Sequence, residues 1–352
     1  MNAAFHTVIG AKDDERLELF LASARRRGTA VQNVEKDFWV CWVLDVLFNG
    51  MGEGHPRLLF KGGTSLSKSF GLIDRFSEDI DITVFRQDIG EPVSMEELER
   101  LSGKQRRARL DAIRAACQAF ITGPFLATFD EVMIGVMRAA HIAPSRYRAE
   151  LDPADADQQT VLFWYPVVTA GADPYIRSAV KIEAGAKSAL DPHIVTTVRP
   201  YATDDVADLD LAVTGITTVE PQRTFWDKVL ILHGLRSWYG RRGHLRHAGQ
   251  RISRHYFDVV RLLESPVGER AIRDRALGVD CSRHARMFFN RPDFDLDRAV
   301  AGSFRVLPPP DMQVLLERDY DAMTMMITGQ VPTFSAVMTI IANLERQLNS
   351  HS

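Results

Sequence analysis

The chain is poor in cysteine. Only Cys41, Cys117 and Cys281 stand in its 352 residues. They are far apart, so they offer neither the paired spacing of a zinc site nor a disulfide framework, and a reducing cytoplasm is the expected setting. No run of about 18 consecutive apolar residues occurs, so neither a membrane span nor a membrane partner is expected. Met1-Asn2-Ala3-Ala4-Phe5 lacks the basic-then-apolar order of a secretion signal. An excess of one charge is also missing. The 43 Lys and Arg nearly balance the 46 Asp and Glu, for a net charge of −3. The chain as a whole therefore does not attract nucleic acid, although a local basic patch still can. There is no internal repeat and no low-complexity tract. What is present is 45% hydrophobic and 25% charged residues, enough for a packed core in one large domain or two ordinary ones.

The most informative stretch is 58 to 85. The apolar run Leu58-Leu59-Phe60 ends in Lys61-Gly62-Gly63, which reads as a buried strand that turns sharply. In Thr64-Ser65-Leu66-Ser67-Lys68-Ser69-Phe70, Leu66 and Phe70 lie four apart, the spacing of a short helix with one apolar face. From Ser77 to Phe85, Asp79 and Asp81 alternate with Ile80, Ile82 and Val84, a strand period. Residues two apart on a strand point to the same side, so two carboxylates share a face and repel unless a divalent cation lies between them. Mg²⁺, or Mn²⁺ in its place, takes one or two carboxylates plus substrate phosphates. The glycine turn offers backbone N–H groups to a phosphate. Taken singly, a Gly-Gly is more often a plain turn and an Asp-x-Asp a solvated strand face. In this order they form the apparatus for nucleotidyl or phosphoryl transfer.

Lys61-Gly62-Gly63-Thr64-Ser65-Leu66 followed by Ser77-Glu78-Asp79-Ile80-Asp81 resembles the first motif of the nucleotidyltransferase AbiEii/AbiGii toxin family, within the DNA polymerase β-like superfamily. The likeness continues in Glu35-Lys36-Asp37-Phe38-Trp39-Val40, Arg223-Thr224-Phe225-Trp226-Asp227-Lys228, Ser253-Arg254-His255-Tyr256-Phe257-Asp258, and Arg318-Asp319-Tyr320 with Met323. The resemblance implies an α+β fold, with a small mixed sheet flanked by helices as the nucleotidyltransferase core. That core, with N-terminal helices and a helical insertion near 94–122, is assigned to 1–215, and a C-terminal helical region completing the active-site cleft to 216–352.

The resemblance also implies roles for single residues. A third metal carboxylate joins Asp79 and Asp81 from a neighbouring strand, and Glu183 in Val180-Lys181-Ile182-Glu183 is the candidate, although the family more commonly has Asp there. A surface strand face carrying Lys181 and Glu183 is the alternative. Lys228 is expected to bind nucleotide phosphates. Arg254 and Asp258 are expected beside the site, with Asp258 orienting Lys228 or Arg254, and a structural salt bridge is the alternative. Lys36 is either a reach into the site or, with Asp37, part of a helix start. The expected nucleotide-binding set is Lys61, Gly62, Gly63, Thr64, Ser65, Lys68, Ser77, Lys181 and Arg254. A phosphate on Ser77 would place negative charge beside the carboxylates and silence the enzyme.

Elsewhere, 13–26 and 34–48 read as helices, and Ser94-Met95-Glu96-Glu97 as a capping box. Lys104, Arg106, Arg107 and Arg109 read as a solvated helix face in preference to an RNA-contacting patch. Residues 159–190 read as a hairpin turning at Gly171-Ala172-Asp173-Pro174. A helix follows Pro221, then a mobile basic loop at 238–250 whose arginines and Tyr239 could meet RNA. Arg251, Arg254 and Asp258 are placed on one helix face. Two helices close the chain, 312–326 and 333–348. The function implied by the resemblance is a magnesium-dependent toxin of a bacterial toxin–antitoxin or phage-defence system. It would transfer a nucleotide from an NTP to RNA, notably the tRNA 3′ end, with a cognate antitoxin. Phosphoryl transfer to a protein or small molecule by the same metal site, or a non-catalytic nucleotide- or RNA-binding regulator, are the alternatives.

Overall fold

A computed structural model describes residues 1–169, 178–206, 208–246 and 251–350. The chain forms two compact units. One comprises Met1–Ser69, Ser77–Val93 and Leu101–Val219, the other Phe70–Phe76, Ser94–Arg100 and Glu220–Ser352.

The first unit is built on a mixed sheet of β1 (Leu58–Lys61), β2 (Asp79–Val84), β3 (Arg148–Leu151), β4 (Thr160–Trp164), β5 (Ala179–Gly185), β6 (His193–Val198) and β7 (Val213–Val219), in the order β3-β4-β5-β2-β1-β7-β6. β2 runs antiparallel to β1 and parallel to β5. Helices α1 (Ala3–Gly10), α2 (Asp13–Arg27), α3 (Val31–Asp45) and α4 (Gly62–Lys68) belong to the same unit. So do α6 (Gly103–Phe120) and α7 (Leu126–Ala139), while α5 (Met95–Arg100) belongs to the second unit. The predicted helices at 13–26 and 34–48 and the strand at 77–85 are therefore present. The predicted hairpin is β4 and β5, paired antiparallel; its turn at 171–174 lies outside the described residues.

The core of this unit is aromatic. Trp39 packs on Trp42, Phe163 and Tyr165, with ring centroids 5.7, 5.8 and 5.5 Å away. α3 is buried from Val34 to Asp45, so it is a central helix in place of the usual half-exposed one. The predicted helical insertion ends at 122, but the chain passes through one widened π turn, Ile121–Phe125, and continues as α7. Gly123-Pro124 reads as a break in sequence, yet the π turn accommodates the proline without ending the helix. By length and composition alone, Gly103–Ala139 reaches the apolarity of a membrane-crossing helix, which a search for an uninterrupted apolar run does not find. Its Phe120, Phe125 and Phe129 are buried against one another on its inward face, while most of its other residues are exposed or half-buried.

The second unit is helical: α8 (Pro221–Arg242), α9 (Arg254–Leu263), α10 (Pro266–Arg273), α11 (Arg275–Phe288), α12 (Pro310–Thr324) and α13 (Phe334–Asn349). Pro221 occupies the first turn of α8, where no N–H is needed. The capping box at α5 forms as predicted, with Ser94 N–H donating to Glu97 at 2.7 Å and Glu97 N–H to Ser94 Oγ at 3.1 Å. Two expectations change here. Residues 238–242 are not loop but the end of α8, which stops at Gly243 with φ +70°. Arg251 precedes α9, at φ +51°, so it does not share a helix face with Arg254 and Asp258.

Candidate active site

The sheet register brings the predicted acids together. Asp79 lies opposite Lys181 and Asp81 opposite Glu183 across β2 and β5, and Lys61 lies opposite Asp81 across β1 and β2. Directly opposed residues project to the same face, so Lys61, Asp79, Asp81, Lys181 and Glu183 share one face of the sheet. Ile80, Ile82, Val180 and Ile182 on the other face are fully buried. That burial fixes the register, because a one-residue slip would drive the isoleucines out and the carboxylates in.

Asp79 is half-buried. Its carboxyl is pushed up to about 6, by burial first and then by the carboxylates of Glu78, Glu183 and Asp81, with Lys36 pulling the other way. A cluster of acids that raises its own members' pKa favours a bound cation. Two lysines temper it. Lys61 Nζ lies 3.8 Å from Asp81 Oδ1, and Lys181 pairs with the Glu183 carboxylate. Burial works against the Lys181 charge, but Glu183 and Asp79 hold it protonated. Among the described residues, no three His, Cys, Asp or Glu side chains are gathered closely enough to hold a metal ion. The donor set still fits a hard divalent cation, which needs only one or two carboxylates from the protein.

Gly62 explains the glycine step. Its φ is +81°, and a Cβ there would stand 2.1 Å from Asp81 Oδ2. Only glycine lets the β1–α4 turn pass this close beneath the carboxylate. Thr64 and Ser65 are fully buried. The Thr64 hydroxyl donates to the Asp79 carbonyl and lies 2.8 Å from Ser77 Oγ, and Ser65 Oγ donates to the Gly62 carbonyl at 2.9 Å. The Thr64 hydroxyl thus ties α4 to the start of β2, while the Ser65 hydroxyl closes on the first turn of α4 itself. Lys68 is turned inward as well. It donates to Asp37 Oδ1 at 2.5 Å and lies 4.1 Å from the Tyr201 ring centroid, so its charge is spent inside the protein.

Lys228, Arg254 and Asp258 belong to the second unit. Lys228 Nζ donates to Asp258 Oδ2 at 2.8 Å, and both side chains are buried. Of the two partners expected for Asp258, Lys228 is found. The second partner is Arg75 rather than Arg254: Arg75 Nε and Nη2 reach the two Asp258 oxygens at 2.7 and 2.8 Å, a bidentate pair. Burial would push the Asp258 carboxyl up, but Arg75 and Lys228 hold it well below the carboxylate range. Lys228 is shifted down, by burial first. His255 is held neutral by burial and by Lys228 and Arg254. No local spacing in the sequence links Arg75 to Asp258, which are 183 residues apart.

Two carboxylates on one strand face beside a glycine-hinged turn, on a mixed sheet, are the constellation of a nucleotidyltransferase. The family model described as "Nucleotidyl transferase AbiEii toxin, Type IV TA system" matches residues 45–343, and the chain belongs to this family. It is a nucleotidyltransferase toxin of a type IV toxin–antitoxin system, with an NTP substrate and an antitoxin partner. Among solved structures, it is similar to the nucleotidyltransferase toxin MenT4 from Mycobacterium tuberculosis, at 15% identity and a TM-score of 0.46, over 94% of this chain and 99% of that one. None of the curated proteins searched matches the chain.

Proposed function

We propose that the enzyme transfers a nucleotide from an NTP to an RNA acceptor, the tRNA 3′ end foremost, and that it needs Mg²⁺ or Mn²⁺. The observation that carries this reading is the shared face of Asp79 and Asp81 beside Gly62. Asp79 and Asp81 hold the cation, with Glu183 as the third carboxylate on the adjoining strand. When bound, the cation neutralises phosphate charge. Lys61, Gly62, Gly63 and the turn after them receive the triphosphate, with Ser77 just ahead of β2 and Lys181, paired with Glu183, as a counter-charge. Within the second unit taken by itself, Lys228, held by Asp258 at 2.8 Å, is proposed as an anion contact, with Arg254 acting on its charge. The acceptor hydroxyl oxygen attacks the α-phosphorus, the α–β bridging bond breaks, pyrophosphate leaves, and the hydroxyl proton passes to a carboxylate.

The test is sequencing of cellular RNA 3′ ends after brief expression of wild type and of Asp79→Ala. Added 3′ nucleotides on tRNA with wild type alone support the reading. Unchanged 3′ ends on all RNA overturn the acceptor assignment. A role in phage defence is a further proposal. It is tested by plating phage on cells carrying the toxin with its antitoxin, and equal plaque counts with and without the pair would count against it.

A further inference from the structure

α3 carries three consecutive charged residues, Glu35, Lys36 and Asp37, exposed by only 1%, 3% and 3%. Successive helix residues point about 100° apart, so the three cannot share a partner, and each grips a different segment. The Glu35 carboxylate accepts from Val168 N–H at 2.8 Å, from Thr169 N–H at 3.1 Å, and from the Thr169 hydroxyl. Lys36 donates to Glu78. Asp37 accepts from Lys68 at 2.5 Å and from Tyr201 N–H at 2.6 Å. Lys68 ends the helix that follows the glycine turn, Glu78 directly precedes Asp79, and Val168-Thr169 lie on the chain between β4 and β5. One helix thus holds the end of α4, the residue before Asp79 and a stretch of chain between β4 and β5.

Packing does not require these charges. Phe38, Trp39 and Trp42 already anchor α3, and apolar residues in place of a buried ion pair are often neutral or stabilising. What the part-buried Lys36–Glu78 pair adds is a fixed direction. Glu78 is itself 27% exposed, so without Lys36 it is free to turn to solvent, and Asp79 is joined to it by a single peptide link. A displacement of about 1 Å at a reacting group costs on the order of 100-fold in rate.

We propose that Lys36 is a positioning residue that sets Asp79 for catalysis through Glu78. The test uses the full chain with Lys36→Met, Lys36→Arg, Glu78→Ala and the double variant Lys36→Met/Glu78→Ala. It measures kcat and KM for the NTP and the melting temperature, with whichever acceptor the wild type modifies. Lys36→Met and Glu78→Ala are each expected to lower kcat about 100-fold with KM little changed. Lys36→Arg, which keeps a donor, recovers part of the loss. The double variant is no slower than either single variant, because both break the same link. A folded Glu78→Ala enzyme with wild-type kcat overturns the proposal, as do losses that multiply in the double variant. If Lys36→Met fails to fold, Glu78→Ala, at a half-exposed site, decides alone. The inference rests on the Asp79 site. A wild type that modifies only a non-RNA acceptor would overturn the acceptor assignment above and leave this one standing.

Discussion

Gly62 sits where a side chain cannot. Its φ of +81° is open chiefly to glycine, and the space its Cβ would need is taken by the Asp81 carboxylate. Gly62→Ala is therefore expected to destabilise the first unit by about 1–3 kcal/mol and to shift Asp81. Denaturant melts against wild type and a transfer assay check both, and unchanged transfer would contradict the account. Asp79 and Asp81 are half-buried and accept few internal bonds, so Asp79→Asn and Asp81→Asn should fold normally. Each should lose transfer by at least about 100-fold, since several kcal/mol of charge stabilisation go with the carboxylate. The Asp-x-Asp pair and the glycine step were legible from residue types alone, because strand alternation and turn chemistry are local. The inward turn of Lys68 was not, because its partner Asp37 lies on another helix, 31 residues away.

At the level of elements, β2 was readable from its own alternation, and β5 from its β-forming residues. The register that sets Asp81 opposite Glu183 was an inference from resemblance, because strand pairing over a hundred residues depends on which isoleucines reach the core. The continuation of α6 into α7 was hidden by Gly123-Pro124, which a π turn absorbs. The strands β3, β6 and β7 carry no signal that the sequence reading assigned. In the second unit, α8 and α9 are joined through Lys228 and Asp258, with Arg75 completing the cluster. The folded Asp258 carboxyl titrates below its unfolded value near 3.9. Its contribution to stability is thus fully present above about pH 4 and is lost as the pH falls further. The unfolding free energy of wild type should fall steadily as the pH drops below about 4, and go on falling below 3. Asp258→Asn strands two buried cations and should cost about 3–5 kcal/mol at pH 7, with a shallower acid slope. Denaturant titrations across this range check both. Equal slopes would show that Asp258 is not the titrating group.

For the whole molecule, the near-neutral composition concealed both the enzyme and its partners, and only motif order exposed them. A toxin with an intact catalytic face should arrest growth when expressed alone. Asp81→Asn should not, and co-expression of the antitoxin should restore growth, all read as colony counts. Chelation with EDTA should abolish transfer while leaving circular dichroism unchanged, because the carboxylate face is folded by its own register and not by the cation. Added Mg²⁺ or Mn²⁺ should restore the activity. The most direct measurement incubates the purified protein with total RNA and an NTP labelled at either the α- or the γ-phosphate. The account predicts that α-label enters RNA with wild type and not with Asp79→Asn, while γ-label leaves as pyrophosphate. Transfer of γ-label to an acceptor, or α-label incorporation that survives loss of the Asp79 carboxylate, would contradict it.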